Sequence, residues 1–127
     1  MVVIHRGRVG IKPTGGIYHS NRDKRKFESG SRPSLTGITG SKVEAVRGKG
    51  GNYKVKVYAT EVVNVLNPKT KKFSKAKIKT VKENPGNRHF VRQNVVTRGA
   101  ILDTEVGLVK VTSRPGQDGT VNGILIS

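Results

Sequence analysis

Carboxylates, histidines and glycine-rich loops are the groups in this sequence that could do chemistry, and each set lacks a part it would need. Beyond residue 40 the acidic residues are Glu44, Glu61, Glu83, Asp103, Glu105 and Asp118. No spacing joins two of them to a nucleophile or base, as general acid–base catalysis requires. His5, His19 and His89 are too scattered to form a ligand pair, and none belongs to a His-Glu-x-x-His helix. There is no cysteine, which removes thiolate zinc sites, disulfides and cysteine nucleophiles together. Gly48-Lys49-Gly50-Gly51-Asn52-Tyr53 has tyrosine where a dinucleotide fingerprint needs its third glycine. Gly37-Ile38-Thr39-Gly40-Ser41-Lys42 has the wrong spacing and a reversed Lys-Ser order for a phosphate loop. The sequence therefore predicts no enzyme, no metal and no cofactor.

What remains is charge. The 127 residues carry 25 Lys plus Arg against 8 Asp plus Glu, a formal net charge of +17. That is far more than solubility requires, and its field attracts polyanions, with nucleic acid the first candidate. An anionic membrane is usually read by a basic amphipathic helix or a lipidated terminus, and neither is evident here. The apolar runs are only a few residues long, too short for a transmembrane helix, and Met1-Val2-Val3-Ile4-His5-Arg6 lacks a signal-peptide core. A cytoplasmic location is the expectation.

The elements that must position these cations divide the chain near residue 40. Residues 1 to 32 hold Arg6, Arg8, Lys12, Arg22, Lys24, Arg25, Lys26 and Arg32 against Asp23 and Glu28, with few apolar residues among them. Such a segment cannot offset its ordering entropy by burial, so residues 1–40 are expected to be a basic extension ordered by RNA. Within it, Ser20-Asn21-Arg22-Asp23 has capping-box spacing, which predicts a short helical turn through Lys24–Phe27.

Residues 41–127 read as short β-branched runs broken by glycine, proline and asparagine. Val43–Val46 is followed by Tyr53–Ala59, whose alternation predicts Tyr53, Val55, Val57 and Ala59 on a packed face and Lys54 and Lys56 on an open one. Glu61–Leu66, a turn at Asn67-Pro68-Lys69-Thr70 and a second alternating strand come next; in that strand Lys75, Lys77 and Lys79 share a face. Asn84-Pro85-Gly86-Asn87 reads as the turn closing that hairpin. Phe90-Val91, Val95-Val96, Ala100–Leu102, Leu108–Val111 and Thr120–Ile126 supply further strand material, with turns at Glu105-Val106-Gly107 and Arg114–Gly119. The predicted fold is all-β: an antiparallel barrel of about six short strands behind a basic, extended N-terminal arm.

The sequence also resembles the archaeal branch of the ribosomal protein S8e family, a small-subunit family shared by archaea and eukaryotes. The resemblance runs through Thr14-Gly15-Gly16, the basic run Lys24 to Phe27, Arg47-Gly48-Lys49-Gly50-Gly51-Asn52, Thr97–Leu102, and Thr112–Gly119 with Val121-Asn122-Gly123. It implies a β-barrel core with a basic extension, no catalysis, and assembly onto small-subunit ribosomal RNA beside neighbouring ribosomal proteins. Lys12-Pro13 stands where the family pattern has a basic pair, so this sequence has one cation there instead of two.

Each candidate contact has a plain structural competitor. Gly15-Gly16 and Gly50-Gly51 let the backbone approach a phosphate, and tight turns ask the same of glycine. Arg98 and Arg114 sit beside glycine or proline, where a guanidinium can fork onto a phosphate; Glu105 and Asp118 are competing ion-pair partners. Arg47, Lys49, Lys54 and Lys56, and the row Lys75, Lys77 and Lys79, fit a footprint on a barrel face, against the alternative of a solvated face. Tyr18 and Phe27, in the basic arm, are the stacking candidates; the strand aromatics Tyr53, Tyr58, Phe73 and Phe90 are assigned to the core. A free RNA chaperone or a chromatin-type barrel is the alternative function. A chaperone, however, needs an aromatic-rich sheet face for single strands, whereas a glycine-interrupted basic arm suits insertion between packed RNA helices.

Overall fold

The computed structural model describes residues 3–4 and 10–126. They fall in two compact units, Met1–Pro33 and Ser34–Ser127.

In the first unit, β1 (Val3–Ile4) pairs antiparallel with β2 (Ser29–Gly30). Between them, the Lys12 carbonyl accepts from the Gly15 N–H at 2.9 Å and the Lys12 N–H donates to the Gly16 carbonyl at 2.7 Å, closing a turn flanked by an Ile11–Ile17 bridge. Pro13 presets this turn, and Gly15 takes φ +84°. The helical turn starts two residues later and ends one residue later than the predicted span, as a single 3-10 turn at Lys26–Glu28. Its cap is different too: the Glu28 carboxylate accepts from the Arg25 N–H at 3.0 Å. Glu28 can do this because it is buried and its other oxygen is 2.5 Å from the Arg22 guanidinium.

The second unit is built on a closed five-stranded barrel of β5 (Val62–Leu66), β6 (Phe73–Glu83), β7 (Ile101–Thr104), β8 (Gly107–Val111) and β9 (Asn122–Leu125). Successive strands pair antiparallel, as the alternating pattern predicts, but the closing pair β5–β9 is parallel. With five strands the two ends of the meander run in the same direction, so closure must be parallel. Val43–Val46 and Tyr53–Ala59 are not barrel staves. They form a separate antiparallel hairpin of β3 (Lys42–Arg47) and β4 (Tyr53–Ala59), which accounts for the difference from about six strands.

The core is almost wholly aliphatic: Val63, Val65, Ala76, Ile78, Val81, Val96, Ala100, Leu102, Val109, Val111 and Val121. Small branched side chains suit the narrow interior of a five-stranded barrel. On β6 the buried positions run 76, 78 and then 81, because the register slips between Ile78 and Thr80 and again between Val81 and Glu83. Lys79 and Lys82 are the extra residues at these bulges. A bulge bends its strand, which helps a short sheet curl shut, and leaves the inserted side chain outside.

Residues 84–97 depart from the strand reading. The turn at 84–87 leads into α1 (His89–Arg92), one helical turn that contains Phe90 and Val91. The Asn87 side chain accepts from the His89 N–H at 2.9 Å and its carbonyl from the Phe90 N–H at 3.0 Å, a local competitor that strand pairing does not displace. Buried Asn84 holds this segment: its amide donates to the Val95 carbonyl at 3.1 Å and accepts from the Gly86 N–H and the Thr97 hydroxyl at 3.0 and 2.9 Å.

Residues 34–37 pack into the second unit. Thr36 is buried, donates its hydroxyl to the Val57 carbonyl at 2.7 Å and accepts from the Val96 N–H at 2.8 Å. Gly37 pairs on either side of Ala59, from the Tyr58 carbonyl to the Thr60 N–H. The turn predicted at 114–119 is a helical turn, α2 (Pro115–Asp118), with proline first and Gly119 at φ +75° after its end. It lies against β4, with a bridge between Val55 and Asp118. Among the described residues no helix is long and apolar enough to cross a membrane.

Candidate nucleic-acid interface

Three groups stand out among the cations at the surface of the second unit, beside others that include Lys69, Lys71 and Lys72 in the β5–β6 turn. Lys75, Lys77 and Lys79 are exposed along β6, separated by buried Ala76 and Ile78, so alternation directs the first two outward and the bulge directs the third. Arg47, Lys49 and Lys54 surround the tip of the β3–β4 hairpin. There Gly50 and Gly51 both take positive φ, +71° and +77°, so the glycine pair makes the turn that presents its basic flanks.

The third group does not follow from the strand reading of the sequence. Lys82, Arg88, Arg92 and Lys110 rim a groove of about 850 Å³ with Val91 and Ile101 in its wall and Glu83 as the one carboxylate among the described residues that line it. Glu83, Ile101 and Lys110 are direct cross-strand neighbours on β6, β7 and β8, while Arg88 and Arg92 stand four apart through α1 and so share its face. The signal is present in Arg88-His89-Phe90-Val91-Arg92 at helical spacing; reading Phe90-Val91 as strand conceals it.

The competing ion pairs do not form on either arginine. Asp118 caps its own helical turn, its carboxylate accepting from the Arg114 backbone N–H at 2.7 Å rather than from the guanidinium. Arg98 occupies a turn closed by the Ala100 N–H on the Thr97 carbonyl at 3.1 Å, with Gly99 at φ +85°. Among the described residues no ion pair engages Arg98, Arg114 or the β6 lysines; Arg22–Glu28 and, at 3.7 Å, Lys42–Glu44 are pairs that do form.

Lys56 is set apart from Lys54. It is buried, faces Glu44 in register, and so leaves the exposed row. The packed face expected of β4 is also only half realised, since Val57 and Ala59 are buried while Tyr53 and Val55 are exposed. The second unit supports the hairpin from Ala59 as far as Val55, which bridges Asp118 beside α2, and Tyr53 beyond it is left in water.

The aromatics depart most clearly from expectation. None is buried among the described residues: Tyr53 is 66% and Phe73 76% exposed, while Tyr58 and Phe90 are half-buried. A valine-filled barrel has no room for rings, so the strand aromatics are outside, where they can stack.

In the first unit Lys12, Gly15, Gly16, Lys24, Arg25, Lys26 and Arg32 are exposed. Lys12 lies 5.4 Å from the Tyr18 ring centroid and Arg22 5.9 Å from that of Phe27, the latter ring being itself 63% exposed. Arg22 is thus held between Glu28 and Phe27 and serves the local structure. Arg6 and Arg8 lie outside the described residues. Among the described residues no three His, Cys, Asp or Glu gather as metal ligands.

Comparison with known proteins places this basic surface in a lineage. The ribosomal protein S8e family matches residues 5–126. A protein of Picrophilus torridus named small ribosomal subunit protein eS8 is 42% identical over 125 residues, spanning 98% of this chain and all of the relative. Relatives of the same name from Nanoarchaeum equitans and Sulfurisphaera tokodaii are 44% and 48% identical, covering 99% and 91% of each chain respectively. With a match from residue 5 to residue 126 and relatives of nearly equal length, the chain belongs to the ribosomal protein S8e family.

Proposed function

We propose that this protein is a structural constituent of the small ribosomal subunit and that it binds folded small-subunit ribosomal RNA through phosphate contacts, stabilising RNA architecture during assembly and translation. The chain is not an enzyme; its family is a ribosomal one. The observation that carries the RNA reading is the set of outward cations that have no acidic partner among the described residues: Lys75, Lys77 and Lys79 on β6, and Arg98 and Arg114 in turns. Like charges crowded on one strand repel, and a phosphate backbone turns that repulsion into binding with release of counterions.

The barrel and the basic extension divide this work. Residues 34–127 supply a rigid face that meets phosphate and sugar across the surface of an RNA helix. Residues 1–33 carry cations on a glycine-interrupted segment that docks on RNA and offsets repulsion between neighbouring helices. Contacts to Arg47, Lys49 and Lys54 use the hairpin tip, a narrow ribbon that suits the shallow minor groove of A-form RNA. Base readout is minor in this scheme, so affinity depends steeply on salt.

Substituting Lys75, Lys77 and Lys79 together by alanine is expected to lower the slope of log affinity against log salt by about 0.7–0.9 for each phosphate that is no longer neutralised. Filter binding to small-subunit rRNA across a salt series measures it, and an unchanged slope would show that the row faces only solvent. In cells, the reading requires comigration with small subunits in sucrose gradients, persisting at salt that strips loosely bound basic proteins. Sedimentation at the top of the gradient or with DNA would instead indicate a free chaperone or a chromatin-type protein.

A further inference from the structure

The seam where β5 meets β9 carries chemistry different from the phosphate-binding rows. Lys75, Asn64 and Asn122 are neighbours in one rung across β6, β5 and β9. Val63 and Val65 face the core, so Asn64 between them faces out. Phe73, two residues before Lys75 on the same strand, shares that outer face, and with Ser74 these residues line a cavity of about 450 Å³. We infer that this cavity takes one unpaired base of the RNA, stacked on Phe73, with its hydrogen-bonding edge at the Asn64–Asn122 pair and its phosphate at Lys75; the inference rests on the RNA-docking reading and deepens it.

Three features fit the three parts of a nucleotide. Phe73 is 76% exposed, and a ring left in water at the rim of a cavity is a stacking platform without its partner. The Asn64 amide donates to the Asn122 side-chain oxygen at 2.9 Å, which uses one N–H and one lone-pair site. That leaves the Asn64 oxygen as an acceptor and the Asn122 amino group as a donor, the two kinds of group a base edge pairs with. Lys75 supplies the cation, and among the described residues no carboxylate lines the cavity to repel phosphate. The volume lies within the range of small-ligand sites.

A protein segment fits less well. An extended peptide gains affinity by adding to a free sheet edge, and here β5 is paired on both sides, to β6 and to β9. An occupant must therefore be recognised through side chains alone, which suits a base.

The test compares the full-length wild type with Phe73→Ala, Phe73→Leu and Phe73→Tyr for binding to a small-subunit rRNA transcript. Phe73 is exposed, so all three variants are expected to keep the wild-type melting temperature. Loss of a stacked base should weaken binding about 5- to 100-fold in Phe73→Ala and nearly as much in Phe73→Leu, with an unchanged salt slope. Phe73→Tyr should stay within about twofold of wild type, since it keeps the ring. Full affinity in Phe73→Ala, or in Phe73→Leu, overturns the stacking inference while leaving salt-dependent rRNA binding intact. A wild type that shows no salt-dependent rRNA binding overturns the broader reading and this one together. If Phe73→Ala binds the naked transcript normally but is missing from purified small subunits, the cavity belongs to a neighbouring protein, and the inference fails.

Discussion

A chain lacking residues 1–33 is expected to fold and to bind rRNA about a hundredfold to a thousandfold more weakly at moderate salt, while a chain lacking residues 1–40 is expected to lose much of its stability as well. The affinity effect follows from charge. Eight basic residues lie before residue 33, and if four of them neutralise phosphates the salt slope falls by about three units. The stability effect follows from residues 34–37. Removing Thr36 leaves the Val57 carbonyl and the Val96 N–H without their partners, and losing Gly37 does the same to Tyr58 and Thr60. Buried groups stripped of hydrogen bonds cost roughly 1–3 kcal/mol each, so about 3 kcal/mol or more is at stake. Circular dichroism melts and filter binding on both truncations separate the two effects. Unfolding of the shorter truncation would contradict the proposed division between extension and barrel, and an unchanged salt slope would remove the extension from the RNA interface.

The second large effect is expected at Gly119. Replacing it by alanine should destabilise the protein by about 2–4 kcal/mol, from two independent causes. The backbone there is left-handed at φ +75°, which costs a residue with a Cβ about 1–2 kcal/mol. The added Cβ would also lie 2.6 Å from Cγ1 and 2.8 Å from Cβ of Val55, and overpacking of that kind typically costs about 1–3 kcal/mol. Because Val55 is on β4 and Gly119 follows α2, the strain falls on the join between hairpin and barrel. For a domain of this size the melting temperature should drop by about 10–25 °C. A Gly119→Ala protein melting within a few degrees of wild type would mean that this contact adjusts at little cost.

Much of the fold is legible because alternation and turn residues are local signals. Lys75-Ala76-Lys77-Ile78 marks its outward and inward faces by side-chain type, and Asn67-Pro68 and Glu105-Val106-Gly107 fall where strands reverse. What is not legible depends on tertiary context. Nothing local tells whether Val43–Val46 is a barrel stave or half of a projecting hairpin, because both alternate. Nor does a strand aromatic announce that a five-stranded barrel is too narrow to admit it, which is why local pattern sends Tyr53 and Phe73 to the core. Arg88 and Arg92 escape a sequence reading for a related reason: their common face exists only if Asn87 starts a helical turn. The lysine rows are the most readable part of the candidate surface, since charge outside a core needs no partner element to place it.

The parallel closing pair has a consequence for the order of events in time. Asn64 and Asn122 stand 58 residues apart in the chain, whereas the other barrel pairings join strands in meander sequence. Closing a long loop costs more entropy than closing a short one, and non-local pairing slows folding. During synthesis β5 and β6 leave the ribosome well before β9, so that edge of β5 has no partner until β9 has emerged. The seam is therefore the last part of the barrel to form, and the rate at which it closes sets how long a nascent chain exposes a bare strand edge to its neighbours.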